Sequence, residues 1–195
     1  MVPQKIWYVT GNTLKFQEVA NCFAEHNAPL ILEQTDLDTD EPQTLDMLKI
    51  TVTKARAAWN QLQAPALVDD SGIYFEKYHN FPGVMTKFLY QAIGIEGLTK
   101  LVDAGDKAEF RIIMAYVWGP NDDQIKFFTA SCPGTIVMPD PSRSIDNHYP
   151  YDVIFKPNGS ELTYDQLRSQ PSGRTQFSYR IQAAQKFLQW YLKQN

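Results

Sequence analysis

Cysteine is nearly absent. Cys22 and Cys132 are the two in 195 residues, and they form neither a CxxC pair nor a metal-ligand spacing. That argues against a disulfide framework and a zinc site, and it fits a reducing compartment, so a cytoplasmic location is expected. Histidine is also scarce, and His26, His79 and His148 share no spacing, so they read as surface residues. Long apolar runs are missing. The longest, Ile112 to Trp118, is far too short to span a bilayer, and no membrane partner is expected. The first residues pass from Met1-Val2-Pro3-Gln4-Lys5 straight into a short apolar run, without the basic region and longer apolar stretch of a secretory signal. Positive charge is in deficit, with 18 Lys and Arg against 22 Asp and Glu and a formal net charge of −4, so no nucleic-acid partner is expected. The chain contains no GxxxxGK[ST] loop and no GxSxG elbow, which removes Walker-type and serine-hydrolase readings.

What is present is a chain with 44% hydrophobic and 13% aromatic residues, enough for one compact domain or two closely packed lobes. Ile6-Trp7-Tyr8-Val9 reads as a strand, Gly11-Asn12 as a tight loop, and Phe16, Val19, Ala20 and Phe23 as the face of a helix. Leu30-Ile31-Leu32 is a second strand. The acidic stretch Asp36 to Pro42 is a loop. Leu45, Leu48, Val52, Ala55, Trp59 and Leu62 then form a helical stripe, with Lys54 off it. Ala66-Leu67-Val68 reads as a strand ending in a turn, Asp69-Asp70-Ser71-Gly72. Phe110 to Trp118 and Gln124 to Cys132 flank Gly119-Pro120-Asn121-Asp122 as an antiparallel hairpin, which makes the sheet mixed. Pro139 to Pro150 is a loop, Val153-Ile154-Phe155 is strand-like, and Phe177, Ile181, Ala184, Leu188 and Tyr191 stripe a final helix. The expected class is α/β with a central mixed sheet.

Five groups of residues could carry chemistry. Thr10-Gly11-Asn12-Thr13-Leu14-Lys15 joins a strand to a helix, where backbone N–H groups and the helix dipole favour an anion and Lys15 adds a charge. The alternative is an ordinary turn in which Asn12 caps the helix. Asp69 and Asp70 are adjacent carboxylates that repel one another unless a cation or donors compensate, and magnesium suits such oxygen ligands. The alternative there is a turn in which Asp70 caps backbone N–H groups. The acid-rich loop around Glu41 could add a second ligand. Lys54 and Lys87 could meet phosphate as point charges. The aromatic series Tyr149, Tyr151 and Phe155 next to Asp152 could stack a base and hydrogen-bond it, with aromatic core the alternative for Phe155, and Arg174, Ser178, Tyr179 and Arg180 could read a ring carbonyl, with capping by Ser178 the alternative.

The order of these blocks resembles the inosine triphosphate pyrophosphatase family, the HAM-type nucleotide pyrophosphatases. The matching residues are Thr10-Gly11-Asn12 with Lys15 and Glu18, Leu67 to Gly72, and Phe81-Pro82-Gly83 with Lys87. Tyr151-Asp152 with Ile154-Phe155, Pro157-Asn158-Gly159, Thr163, and Ser178-x-Arg180 complete the series. The resemblance implies one domain over residues 1–195, in which an elongated mixed sheet and two lobes enclose a nucleotide cleft, and a homodimer. It implies magnesium-dependent (Mg2+) hydrolysis of inosine- or xanthosine-type triphosphates to the monophosphate and pyrophosphate, cleaning the nucleotide pool. Carried onto this chain, it makes Thr10, Gly11, Asn12, Thr13, Leu14, Lys15 and Lys54 a triphosphate cradle, with Ser71 and Lys87 also at the substrate. Asp70 binds metal and activates water, and Glu41 is the second metal ligand, a role that Asp38 or Asp40 could take instead. Tyr149, Pro150, Tyr151 and Asp152 form a base platform, and Arg174, Tyr179 and Arg180 read the base edge.

This chain departs from the family pattern at the base end. Pro150 stands where glycine is usual, Tyr179 where histidine is usual, and Arg174 where lysine is common. A phenol donates one hydrogen bond but cannot become cationic near neutral pH. Two other readings therefore stand beside the first: a nucleotide-binding protein without turnover, and a pyrophosphatase for a different modified or ordinary triphosphate.

Overall fold

A computed structural model describes residues 4–39, 42–142, 145, 149–170 and 176–194. The chain divides into two compact units, the first made of Met1–Asp70, Ile112–Ala130 and Arg180–Asn195, the second of Ser71–Arg111 and Ser131–Tyr179. Among the described residues the mixed sheet has seven strands, in the order β2 (Leu30–Thr35), β1 (Gln4–Val9), β3 (Ala66–Phe75), β5 (Lys107–Val117), β6 (Ile125–Ile136) and β7 (Phe155–Pro157), with β4 (Phe81–Gly83) paired to β3. The mixed α/β class read from the sequence is the class observed.

In the first unit, β1 (Gln4–Val9) pairs in parallel with β2 (Leu30–Thr35) and with the first part of β3 (Ala66–Phe75). Helix α1 (Thr13–Glu25) makes the connection from β1 to β2 and α2 (Met47–Leu62) the one from β2 to β3. Parallel neighbours need such crossovers. Asp46 caps α2 by accepting from Leu48 N at 3.0 Å and Lys49 N at 3.2 Å, so the helix begins after Leu45. The stripe expected from Leu45 and Leu48 is consequently rotated: Leu45 is 67% exposed, and the buried face is Met47, Ile50, Thr51, Ala55 and Ala58. Ala55 and Ala58 let the helix approach Ala66, Val68, Ala115 and Val117, while Trp59 and Leu62 pack at the edge of that cluster. Helix α5 (Tyr179–Gln194) buries Ile181, Ala184, Leu188 and Tyr191 as the spacing predicts, with Ala183 and Phe187 beside them.

The expected turn at Asp69-Asp70-Ser71-Gly72 is instead the middle of a ten-residue strand, β3. Glycine keeps the strand going here. A Cβ on Gly72 would lie 2.0 Å from the carbonyl oxygen of Gly83, so the close approach of β4 (Phe81–Gly83) is open only to glycine. Successive side chains of a strand point to opposite faces, so Asp69 and Asp70 are directed apart rather than into one turn.

In the second unit, helix α3 (Thr86–Leu101) is interrupted at Gly94, where φ is 60° and ψ −172°. Strands β5 (Lys107–Val117) and β6 (Ile125–Ile136) are neighbours joined by a short connection that Trp118 N closes on Gln124 O at 3.1 Å, as the hairpin reading required. Val153-Ile154 belongs to a 3-10 turn, Asp152–Ile154, and the strand β7 begins only at Phe155, running Phe155–Pro157 against β6. Helix α4 (Tyr164–Arg168) completes the unit.

Candidate active site

The first unit gathers six charged side chains around the middle of β3. Asp69, with a side chain 2% exposed, sits among three donors: Tyr8 Oη donates to its Oδ1 at 2.6 Å, while Lys15 Nζ at 3.3 Å and Arg180 Nη2 at 3.5 Å share its Oδ2. Each donor comes from a different element, namely β1, α1 and the start of α5. Burial works against the Asp69 anion, but Lys15, Arg180 and the Tyr8 hydroxyl override it and hold the carboxyl well below its usual range. Tyr8 in turn is pushed well above the usual phenol range by burial and by the Asp69 charge, so it remains a donor. Arg180 also donates through Nη1 to Glu18 Oε2 at 3.1 Å, and all three charged groups, Arg180, Glu18 and Asp69, are buried. An arginine between two carboxylates is a connected arrangement in which removing one member strands the others.

Asp70 is treated differently. Its Oδ1 accepts from Lys54 Nζ at 2.9 Å, while its buried Oδ2 has no hydrogen-bond partner among the described residues. Burial raises its carboxyl above the usual range, and Lys54 pulls only part of that back. Lys15 is moved below the usual lysine range by burial and by the nearby Arg180 and Lys54 cations, against the pull of Asp69. Two neighbouring carboxylates thus acquire opposite characters. Asp69 is saturated and committed to structure, whereas Asp70 holds its proton more readily and has an oxygen to offer.

The loop ahead of α1 is tied by hydrogen bonds. Thr10 N donates to Thr35 O and Gln34 Nε2 to Thr10 O, both at 2.8 Å. Asn12 Oδ1 accepts from Leu14 N at 3.0 Å and Lys15 N at 3.1 Å, and Thr10 Oγ1 accepts from Asn12 N at 3.2 Å. Asn12 therefore caps the helix and consumes two of its leading N–H groups. Gly11 lies against Asp36, whose carboxylate would be 2.6 Å from any Cβ there. Thr13 and Leu14 are exposed at the first turn.

Among the sequence-derived candidates, the structure brings together Lys15, Lys54, Asp70 and Arg180 in the first unit, with Asp69 at their centre. Arg180, expected at a base edge, has its guanidinium on Glu18 and Asp69. In the second unit Ser71 is half-buried and Lys87 is exposed on α3. Also in the second unit, Tyr151 is buried and its hydroxyl donates to Thr86 O at 2.8 Å. Asp152 is buried and bonded to Arg168 Nε, and the Arg168 guanidinium lies 3.5 Å from the centre of the Tyr149 ring. Tyr179 stacks on Phe110 at 5.3 Å with 9° between planes. Pro150 is half-buried beside Tyr149. Glu41 and Arg174 lie outside the described residues.

Sequence reasoning gave no role to Tyr8, Glu18 or Arg168. Tyr8 had a usable signal, since a phenol on the inward face of a strand needs a partner for its hydroxyl. Glu18 stands one helical turn after Lys15, which puts both on one face of α1. Arg168 carries no local pattern that points to Asp152 or Tyr149.

A divalent cation fits the donor set on one side. Among the described residues no three His, Cys, Asp or Glu side chains cluster as a complete metal cage. Magnesium, however, commonly binds through one or two carboxylates and retains several waters, and the unmatched oxygen of Asp70 is such a ligand.

Comparison with known proteins gives the family. Residues 6–190 match the Ham1 family. A dITP/XTP pyrophosphatase of Methanopyrus kandleri is 30% identical over 189 residues, covering 96% of each chain. An inosine triphosphate pyrophosphatase of Yarrowia lipolytica is 31% identical over 182 residues, 92% of this chain and 91% of its own. In fold, a HAM1 protein from Coxiella burnetii superposes with a TM-score of 0.76 at 22% identity, covering 97% of this chain and 99% of that one. The chain belongs to the Ham1 family.

Proposed function

We propose that this chain hydrolyses non-standard purine nucleoside triphosphates, of the ITP, dITP and XTP type, to the monophosphate and pyrophosphate. The observation that carries the reading is the pairing of Lys54 with one oxygen of Asp70 while the other has no partner among the described residues, with Lys15 held nearby on Asp69. The relatives named dITP/XTP pyrophosphatase and inosine triphosphate pyrophosphatase support the substrate class.

Lys15 and Lys54 neutralise triphosphate charge as it enters and as pyrophosphate departs. Asp70 orients the attacking water and accepts its proton, a task suited to a carboxyl whose pKa burial has raised. Asp69 does not share that task, because its charge is already matched by Lys15, Arg180 and Tyr8. The cation is magnesium in this reading, held by Asp70 together with Glu41, or with Asp38 or Asp40. When bound it polarises a phosphoryl oxygen and lowers the pKa of a coordinated water.

A homodimer in the cytoplasm completes the proposal. The family resemblance supports the dimer. Cys22 and Cys132, both buried and unpaired, support the location. No helix among the described residues is long and apolar enough to cross a membrane.

The test is pyrophosphate release from ITP and XTP with magnesium present and after chelation. Release that chelation abolishes is expected. Binding of the nucleotides with no release under either condition supports the reading as a binding protein instead.

A further inference from the structure

Arg168 has no role in the scheme above, yet it joins three side chains of the second unit. It is the last residue of α4, whose start is fixed by a reciprocal cap: Thr163 N donates to Gln166 Oε1 at 2.8 Å and Gln166 N to Thr163 Oγ1 at 3.4 Å. A fixed start sets the direction of every later side chain on so short a helix. Arg168 Nε donates to Asp152 Oδ2, and its guanidinium carbon lies 3.5 Å from the centre of the Tyr149 ring and 5.2 Å from that of Tyr164. The first distance is van der Waals contact of the cation against a ring face. Tyr164 continues the pile, stacked on Phe110 at 5.6 Å and on Tyr179 at 6.4 Å. The Asp152 side chain is only 5% exposed and that of Arg168 15%. A carboxylate so enclosed is an anchor, and the cation it anchors lies nearer the solvent.

We infer that Arg168 sets the base preference of this protein, acting through the Tyr149 ring with Asp152 as its anchor, and favours purines rich in carbonyl oxygen. The inference rests on the nucleotide reading above and names the feature of the base that is selected. A planar cation held against one face of Tyr149 places positive potential behind the ring, toward a base stacked on the opposite face. Hypoxanthine brings one ring carbonyl to that potential and xanthine two, whereas adenine brings an amino group whose hydrogens are themselves positive. Arg168 is a positioning residue in this scheme. Lysine in its place keeps the charge but loses the plane.

The experiment compares XTP, ITP and ATP in wild type, Arg168→Ala, Arg168→Lys and Asp152→Asn, by kcat and KM and by calorimetric affinity for the three monophosphates. In Arg168→Ala the XTP-to-ATP ratio of kcat/KM is expected to fall about tenfold, carried by KM, with ITP in between. Arg168→Lys is expected to recover part of that ratio, and Asp152→Asn to shift it in the same direction as alanine. Inorganic tripolyphosphate, which has no base, keeps the same inhibition constant in all four proteins. Should Arg168→Ala fail to fold, the lysine and asparagine variants carry the comparison. Equal fractional losses for all three bases overturn the inference, as does a lysine variant no different from wild type. If wild type releases pyrophosphate from none of them, the parent reading fails, and the monophosphate affinities still decide the role of Arg168.

Discussion

Lys54 Nζ and Asp70 Oδ1 lie 2.9 Å apart, and the contact takes up one carboxylate oxygen while the other, Oδ2, stays buried with no partner among the described residues. One residue earlier, Asp69 receives three donors. Because β3 runs straight through both aspartates, the strand itself separates them.

Asp70→Asn is expected to lower kcat by about a hundredfold or more, the contribution typical of a positioned general base. Circular dichroism checks that the fold is retained, and pyrophosphate release measures the loss. Turnover close to wild type would move the catalytic role to another residue.

The same substitution should change the dependence of stability on pH. The folded-state pKa of Asp70 is raised, so the native state binds this proton more tightly than the unfolded chain. Its contribution therefore favours folding at low pH and is lost as pH rises through the folded value. Relative to wild type, Asp70→Asn should gain stability with rising pH above the ordinary carboxylate range of about 4, and the difference should level off once pH passes the folded value. Urea denaturation of both proteins from pH 4 to 8 without divalent cations checks the slope.

Arg180→Met leaves Glu18 and Asp69 buried without their shared cation, at a cost of about 3–5 kcal/mol. Adding Glu18→Gln should restore part of it, because one of the stranded charges is removed. Chemical denaturation of the two single variants and the double variant gives the coupling, and strict additivity would contradict the network.

Tyr8→Phe removes a buried hydrogen bond to a carboxylate and should cost about 1–3 kcal/mol. The folded-state pKa of Asp69 is depressed, so its stabilisation is present above the unfolded value and is lost as pH falls through the folded one. Without the Tyr8 hydroxyl the folded value rises, and the acid-unfolding midpoint should move to higher pH. An acid titration followed by tryptophan fluorescence measures the shift.

Much of this was legible in the sequence. Strand β1, helix α1, the β5–β6 connection and the inward face of α5 follow from hydrophobic period and turn residues, which are local signals. The stripe on α2 was misplaced because Leu45 and Leu48 share its period, yet Asp46 starts the helix after Leu45 and turns Met47 inward. Asp69-Asp70-Ser71-Gly72 reads as a turn in isolation, since the reason Gly72 is needed, the carbonyl of Gly83, lies on another strand. For the site, residue types pointed to Lys15, Lys54 and Asp70, which the structure brings together in the first unit. They did not assign Arg180 to Glu18 and Asp69 or Arg168 to Asp152, because those partners are far away along the chain and are joined only by folding.

The central claim is tested most directly by identifying the products formed from XTP and ITP, beside ATP and GTP, with magnesium and wild-type protein. The account predicts monophosphate and pyrophosphate in equal amounts, faster from XTP and ITP than from ATP and GTP. Diphosphate with inorganic phosphate, or equal rates from all four nucleotides, would contradict it.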